Sequence, residues 1–225
     1  MQEQIVPGQG WLHKPTDLEL QILARFNPDT GGVTWFHSNR GLDSSIISRV
    51  LIDREGRVWA ASERGLYVAP PPYNFFRRVT ELPPDQFWSM AEGGNGLSHD
   101  EILALAAEES GELWVGYRFG GEINEVAPVA AGIRVTHAVP QRRGGTRLVY
   151  FLGFDSRKQL WAGTEHGVEV FDGAIWSHID MNDGLIWDDC DLNGFAVAPN
   201  GEVWIGTSGG LGKFTPSANG SGIAA

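Results

Sequence analysis

The sequence predicts an all-β chain built as a β-propeller of four-stranded antiparallel blades, and three observations carry that reading. One pattern recurs four times, at Glu55–Val68, Ser110–Ile123, Lys158–Val170 and Asn200–Phe214. Each copy runs from a turn into a short apolar strand carrying tryptophan, then through a second turn into another short strand. The repeated Trp59, Trp114, Trp161 and Trp204 are separated by 55, 47 and 43 residues, the period of propeller blades. Thirty glycines, nine tryptophans and only 20% charged residues suit many short strands joined by tight turns and argue against helices.

Taken in order, residues 1–40 hold a degenerate copy. Trp11 lies 48 residues before Trp59. Leu20–Phe26 and Val33–His37 read as strands around a turn cluster at Asn27–Gly32. The first strand of that blade is missing or supplied elsewhere. Ile46–Ile52 is nearly continuous in its apolarity, as expected of a strand covered on both faces. Pro70–Pro72 stop the Leu66–Ala69 strand, because proline cannot donate to a ladder. Phe75–Val79 reads as an edge strand guarded by arginines, and residues 81–95 as an extended loop. Residues 99–109 have helical propensity when read alone, but the repeat frame makes Ile102–Ala107 a strand. Glu122–Val126 and Gly132–His137 follow Trp114. Leu148–Phe154, the Trp161 strand, Val168–Phe171 and Trp176–Ile179 make the next blade. Leu192–Ala198, Val203–Thr207 and Leu211–Phe214 make the last, which lacks a fourth strand.

Five tryptophan positions at a mean spacing of about 48 predict five blades, within the ordinary range. The repeats fall at about 5–40, 41–96, 97–145, 146–184 and 185–216, in one domain over 1–216. Residues 217–225 are read as a disordered tail. Terminal strands mixed in one blade would close the ring; the alternative is an arc of a larger propeller, which leaves open edges and apolar faces.

The pattern of Gly-Leu (Gly41-Leu42, Gly96-Leu97, Gly184-Leu185), apolar strand, acidic residue, turn, Trp-x-Gly-Thr and x-x-Gly-Leu resembles the two-component regulator propeller repeat. The resemblance covers about residues 40–215. Gly163-Thr164 and Gly206-Thr207 match it fully, whereas Ala61-Ser62 and Gly116-Tyr117 depart from it. It implies a β-propeller sensor region of hybrid histidine kinases and related receptors, usually periplasmic, often reading carbohydrate-related cues. A kinase or other output domain would belong to a longer chain, since nothing in this sequence resembles one.

The formal charge of −11 and the lack of a basic run exclude a phosphate backbone as partner. No apolar stretch reaches the ~20 residues of a membrane span. The N-terminus shows no basic region followed by an apolar run, so no signal peptide is expected; a cytoplasmic protein and a processed or fragmentary chain both fit. Cys190 is the only cysteine and makes no intrachain disulfide.

Propeller geometry brings two loops of each blade to one face: the loop before the first strand and the loop between the second and third. That gathers Asp43, Ser44 and Arg64; His99, Asp100, Glu101, Tyr117 and Arg118; Arg142, Arg143, Glu165 and His166; and Trp187, Asp188, Asp189 and Asp191. Of these, Arg64, His99, Tyr117, Arg118, Arg143, His166, Trp187, Asp188 and Asp189 are the candidate ligand-binding residues. Mixed acids, arginines and aromatics suit a polar small molecule or glycan. The repeated tryptophans are read as packing, worth several kcal/mol each.

Asp188, Asp189 and Asp191 also offer hard oxygen ligands of the kind Ca²⁺ takes, at a spacing that matches no EF-hand. The six histidines show no ligand-pair spacing, and no metal or cofactor is expected. There is no G-x-S-x-G elbow and no Cys/His arrangement. The reading is therefore a non-catalytic sensing module. The alternatives are a protein-interaction scaffold and, because Phe26–Gly31 resembles a turn of streptogramin-lyase-like propellers, a lyase.

Overall fold

The computed structural model describes residues 4–5, 11–12, 23–44, 46–79, 88–89, 96–120, 122–129, 132–138, 148–216 and 223–224. Strand-forming residues alternate faces, and this alternation lays out four four-stranded antiparallel units. The first is β5 (Ile47–Ile52), β6 (Val58–Ser62), β7 (Gly65–Ala69) and β8 (Arg77–Arg78). The second is β10 (Ile102–Ala107), β11 (Leu113–Tyr117), β12 (Ile123–Val129) and β13 (Gly132–Ala138). The third is β14 (Val149–Phe154), β15 (Leu160–Thr164), β16 (Gly167–Phe171) and β17 (Trp176–Ile179). The fourth is β18 (Cys190–Val197), β19 (Val203–Thr207), β20 (Gly210–Pro216) and β21 (Ile223–Ala224). The strands follow one another in sequence across each blade, and the innermost strands neighbour one another, β5 on β10, β10 on β14 and β14 on β18. This is the propeller arrangement.

Two further pairs precede the first full blade: β1 (Gln4–Ile5) with β2 (Trp11–Leu12), and β3 (Leu23–Phe26) with β4 (Val33–Phe36). β9 (Trp88–Ser89) runs parallel to β13 at the outer edge of the second blade, within the stretch expected to be only loop. The predicted strand at Ile102–Ala107 is a strand and not a helix. The last blade takes its fourth strand from β21, inside the segment expected to be a tail and in place of the N-terminal strand expected there.

Three of the four repeated tryptophans sit between blades. Trp59 packs with Leu105, Leu113 and Val115 of the second blade. Trp114 packs against Leu152 and Ala162 of the third, with the Phe171 ring centroid 5.8 Å away. Trp161 meets Phe195 and Phe214 of the fourth at 6.4 and 6.0 Å. Each of the three is at most 5% exposed, and burying a ring of this size contributes several kcal/mol.

The acidic residue before the turn has a fixed duty in two blades. Trp59 Nε1 donates to Asp53 Oδ2 at 2.7 Å, and Trp161 Nε1 donates to Asp155 Oδ2 at 3.1 Å. The same carboxylates accept backbone N–H bonds from Arg57 (2.8 Å) and Gln159 (2.9 Å). The hydroxyl of the Gly-Thr element closes the next hairpin: Ser62, Thr164 and Thr207 donate to the carbonyls of Gly65, Gly167 and Gly210 at 3.0, 2.8 and 3.0 Å. Gly163 must lack a side chain because a Cβ there would overlap the Phe151 ring.

Candidate functional site

Each innermost strand breaks register once. The shifts fall between Ile47 and Arg49, Ile102 and Ala104, Val149 and Phe151, and Cys190 and Phe195. A bulge leaves residues unpaired and re-aims their side chains, here on the strands that line the inside of the propeller. The unpaired positions are Ser48, Leu103, Tyr150 and 191–194. Ser48 Oγ donates to the carbonyl of Ile102 at 2.5 Å and so ties the first inner strand to the second. Arg49 Nη1 donates to Asn193 Oδ1, joining the first inner strand to the last. Asn193 holds a left-handed φ of 60°, a conformation asparagine tolerates better than most residues.

The Tyr150 phenol lies near Asp189. Burial, then the nearby charges of Asp189 and Glu165, push its phenol up from the ordinary value. The turn between β15 and β16, the turn between β19 and β20, and the segment leading into β18 thus meet at one edge. Their backbones are stitched together there. Gly167 N donates to Asp188 O at 2.6 Å and Ser208 N to Asp189 O at 2.9 Å. Asp188 Oδ1 accepts from Met181 N at 2.8 Å, and Asp189 Oδ2 accepts from Ser208 Oγ at 3.1 Å. A Cβ on Gly209 would lie 2.7 Å from Trp187 Cβ, so the glycine lets Trp187 lie over the turn. The Trp187 side chain is nevertheless 52% exposed. His166, whose Nε2 is 3.7 Å from Glu165 Oε1, stands on the same β15–β16 turn.

A second polar group forms at the first and second blades. Arg118 Nε pairs with Glu101 Oε2 at 3.2 Å, and Arg78 Nη2 with Asp100 Oδ1 at 3.4 Å. His99 packs edge-on to Tyr117 with ring centroids 5.5 Å apart. Tyr117 itself is fully buried. Its hydroxyl donates to Asn124 Oδ1 and accepts from Ser98 N at 3.2 Å, and burial raises its pKa strongly. Arg64 is exposed on the β6–β7 turn, its N–H donating to Ser62 Oγ at 2.9 Å.

The nine candidate residues therefore divide. Trp187, Asp188, Asp189 and His166 meet at one edge; His99, Arg118 and the buried Tyr117 meet at another; Arg64 stands on the first full blade. Arg143, like Arg142, lies outside the described residues. Ser44 is buried, and Asp43 Oδ1 accepts from the Tyr67 hydroxyl. Among the described residues no cluster of three or more His, Cys, Asp or Glu side chains is placed to hold a metal ion. The Cys190 thiol is buried, and desolvation pushes it up to about 12, so thiolate chemistry is suppressed at neutral pH.

Sequence reasoning missed Tyr150, Ser208 and the Arg49–Asn193 bridge. The Asn193-Gly194 pair inside an otherwise strand-like run was the available signal for the last bulge.

No family model matches the sequence, and no curated protein does. Solved structures are similar in fold. The extracellular domain of the hybrid two-component system BT4673 from B. thetaiotaomicron matches with a TM-score of 0.65 at 20% identity, over 88% of this chain and 25% of that one. PorZ, a surface component of the type-IX secretion system of Porphyromonas gingivalis, matches at 0.61 and 18%, over 83% and 28%. Virginiamycin B lyase from Staphylococcus aureus matches at 0.60 and 12%, over 90% and 65%. This chain spans about a quarter of the BT4673 domain. Among the described residues no helix is long and apolar enough to cross a membrane.

Proposed function

We propose that the chain is a ligand-sensing propeller module of a signal-transduction receptor, without catalysis of its own, and that its ligand is a glycan or similar polar small molecule. The exposed Trp187 ring, next in the chain to Asp188 and Asp189 on the edge where the Glu165–His166 turn meets that segment, carries the reading. An aromatic face takes the C–H face of a sugar, and carboxylates take its hydroxyls, so a solvent-facing ring rimmed by acids suits a polyhydroxylated ligand. The likeness to an extracellular domain of a two-component system supports the sensing role and an extracytoplasmic location. In a longer chain, ligand binding would bias the propeller and pass that bias to an output or kinase domain.

His99 and Arg118 extend the proposed binding face on the second blade, and Arg64 extends it on the first. Tyr117 serves it from inside by holding the Ser98 loop.

A thermal-shift series with neutral and acidic oligosaccharides tests the proposal, since native-state binding raises the melting temperature. A dose-dependent rise of roughly 2–5 °C for one glycan class is expected, and Trp187→Ala should abolish it without lowering the unliganded melt by more than ~2 °C. Shifts with no glycan, or a shift that survives Trp187→Ala, would sink the reading. Turnover of lactone substrates by the same preparation would favour the enzymatic alternative.

A further inference from the structure

Register-equivalent residues on the innermost strands have very different fates. Val50 pairs with Ala60, Leu105 with Val115, Leu152 with Ala162 and Phe195 with Ile205. All four face the preceding blade. Leu105 and Leu152 are 2% and 4% exposed beneath Trp59 and Trp114, and Phe195 lies against Trp161, but Val50 is 43% exposed. One position along, Ile52 is 66% exposed, whereas its equivalents Ala107, Phe154 and Val197 pack into core clusters.

The gap above Val50 and Ile52 is an apolar groove of about 240 Å³, walled by Leu23, Phe36, Val58 and Phe76. It exists because β3 and β4 cover only part of the first full blade. Phe36 packs with Tyr67 and Phe76 there, as an outer half-blade would, and among the described residues no inner half covers β5.

We infer that β1–β2 is that inner half, and that this strand pair docks into the groove with the Trp11 register position over Val50. Three observations commit the occupant. In every full blade the two inner strands precede the two outer strands in sequence, and β1–β2 precedes β3–β4. The pair is antiparallel with Ile5 opposite Trp11, matching Leu51 opposite Trp59, Ala106 opposite Trp114 and Gly153 opposite Trp161. Trp11 also stands 48 residues before Trp59, within the 43–55 range of the other intervals. Tryptophan at this register position covers the next blade's Leu105, Leu152 or Phe195 position, which for Trp11 is Val50. The first blade is then β1–β4, completed by its own chain, and the fold has five.

The test uses the full-length chain with Trp11→Ala, Val50→Ala and the double variant, followed by thermal melts and hydrogen exchange. Docking predicts that Trp11→Ala lowers the melting temperature by roughly 6 °C or more, as a buried aromatic does. Exchange should accelerate over residues 23–60, and the double variant should lose clearly less than the sum of the singles. Should Trp11→Ala fail to melt cooperatively, Trp11→Phe, with a smaller loss, carries the same cycle. A change under ~1 °C for Trp11→Ala, or strict additivity, overturns the inference. So does a concentration-dependent dimer, seen by light scattering, whose dissociation deprotects Val50 in the unaltered chain. That result would assign the groove to a second copy.

Discussion

Glu125 and Asp53 are acids whose environments push them in opposite directions. On β12, Glu125 lies opposite Trp114. Burial, then the charges of Glu112 and Glu108, raises its pKa, and Arg134 only partly offsets them. The folded state therefore holds its proton more tightly than the unfolded chain does. Stability falls as pH rises through the raised value, and the penalty is fully present at neutral pH. Glu125→Gln should accordingly stabilise the protein at pH 7 by a few tenths of a kcal/mol, a figure already reduced for solvent screening. That gain should vanish below pH ~4, where the unfolded carboxyl is protonated as well; urea midpoints at the two pH values decide it. For Asp53, burial also opposes the charge, but hydrogen bonds from Trp59 and Arg57 outweigh it and hold the carboxyl below its ordinary value. Its contribution is present above the ordinary carboxylate range and is lost as pH falls through the depressed value. The second blade has no such clasp. Glu108 stands six residues before Trp114, where Asp53 and Asp155 stand before their tryptophans, and Trp114 Nε1 is buried without a hydrogen-bond partner.

A hairpin closed by a side-chain hydroxyl is the next scale up. Thr164 Oγ1 donates to Gly167 O at 2.8 Å and accepts from His166 N at 3.1 Å, fully buried. Thr164→Val keeps the shape and removes both bonds. The variant should lose about 1–3 kcal/mol, because the His166 N–H loses its acceptor and the buried Gly167 carbonyl keeps only the weak Cys190 thiol donor, with a lower urea midpoint and an unchanged slope. The turn itself was legible in the Gly-Thr spacing, as were the strands around each repeated tryptophan, because turn chemistry and face alternation are local. Tyr117 occupies the same repeat position and was read as a ligand contact. Its hydroxyl is drawn inward by Asn124 and the Ser98 N–H, partners that no spacing announces. Tyr150 was hidden in the same way. The run from Leu148 to Phe154 reads as a plain buried strand, and the bulge that frees Tyr150 depends on how β14 meets β15. β21 escaped notice because Ile223 and Ala224 join the sheet through backbone pairing, which composition does not report. Trp187 and its acids were legible as an oddity of sequence, but the meeting of their segment with the Glu165–His166 and Ser208–Gly209 turns is long-range.

Stacked blades make a molecule whose stability is close to a sum over neighbouring interfaces, and the four repeat tryptophans sample that sum. Trp59, Trp114 and Trp161 are sandwiched between blades, whereas Trp204, on the far face of the last blade, is only half-buried. Lys213 covers the Trp204 ring instead, with Nζ 5.8 Å from its centroid, while pairing with Glu202 Oε1 at 3.0 Å. Elsewhere on the last blade Leu192 and Leu211 are 59% and 58% exposed. The identical substitution should therefore give different outcomes at identical repeat positions. Trp161→Ala removes contacts with Phe195 and Phe214 and leaves Asp155 without its indole donor, so a loss of about 3–5 kcal/mol is expected. Trp204→Ala removes a ring that neighbours only its own blade, and about 1 kcal/mol is expected from its smaller apolar burial. Urea unfolding of the two variants side by side reads the difference. Equal losses would mean that Trp204 is covered in solution as fully as Trp161, and that the outer face of the last blade packs against a further β-sheet.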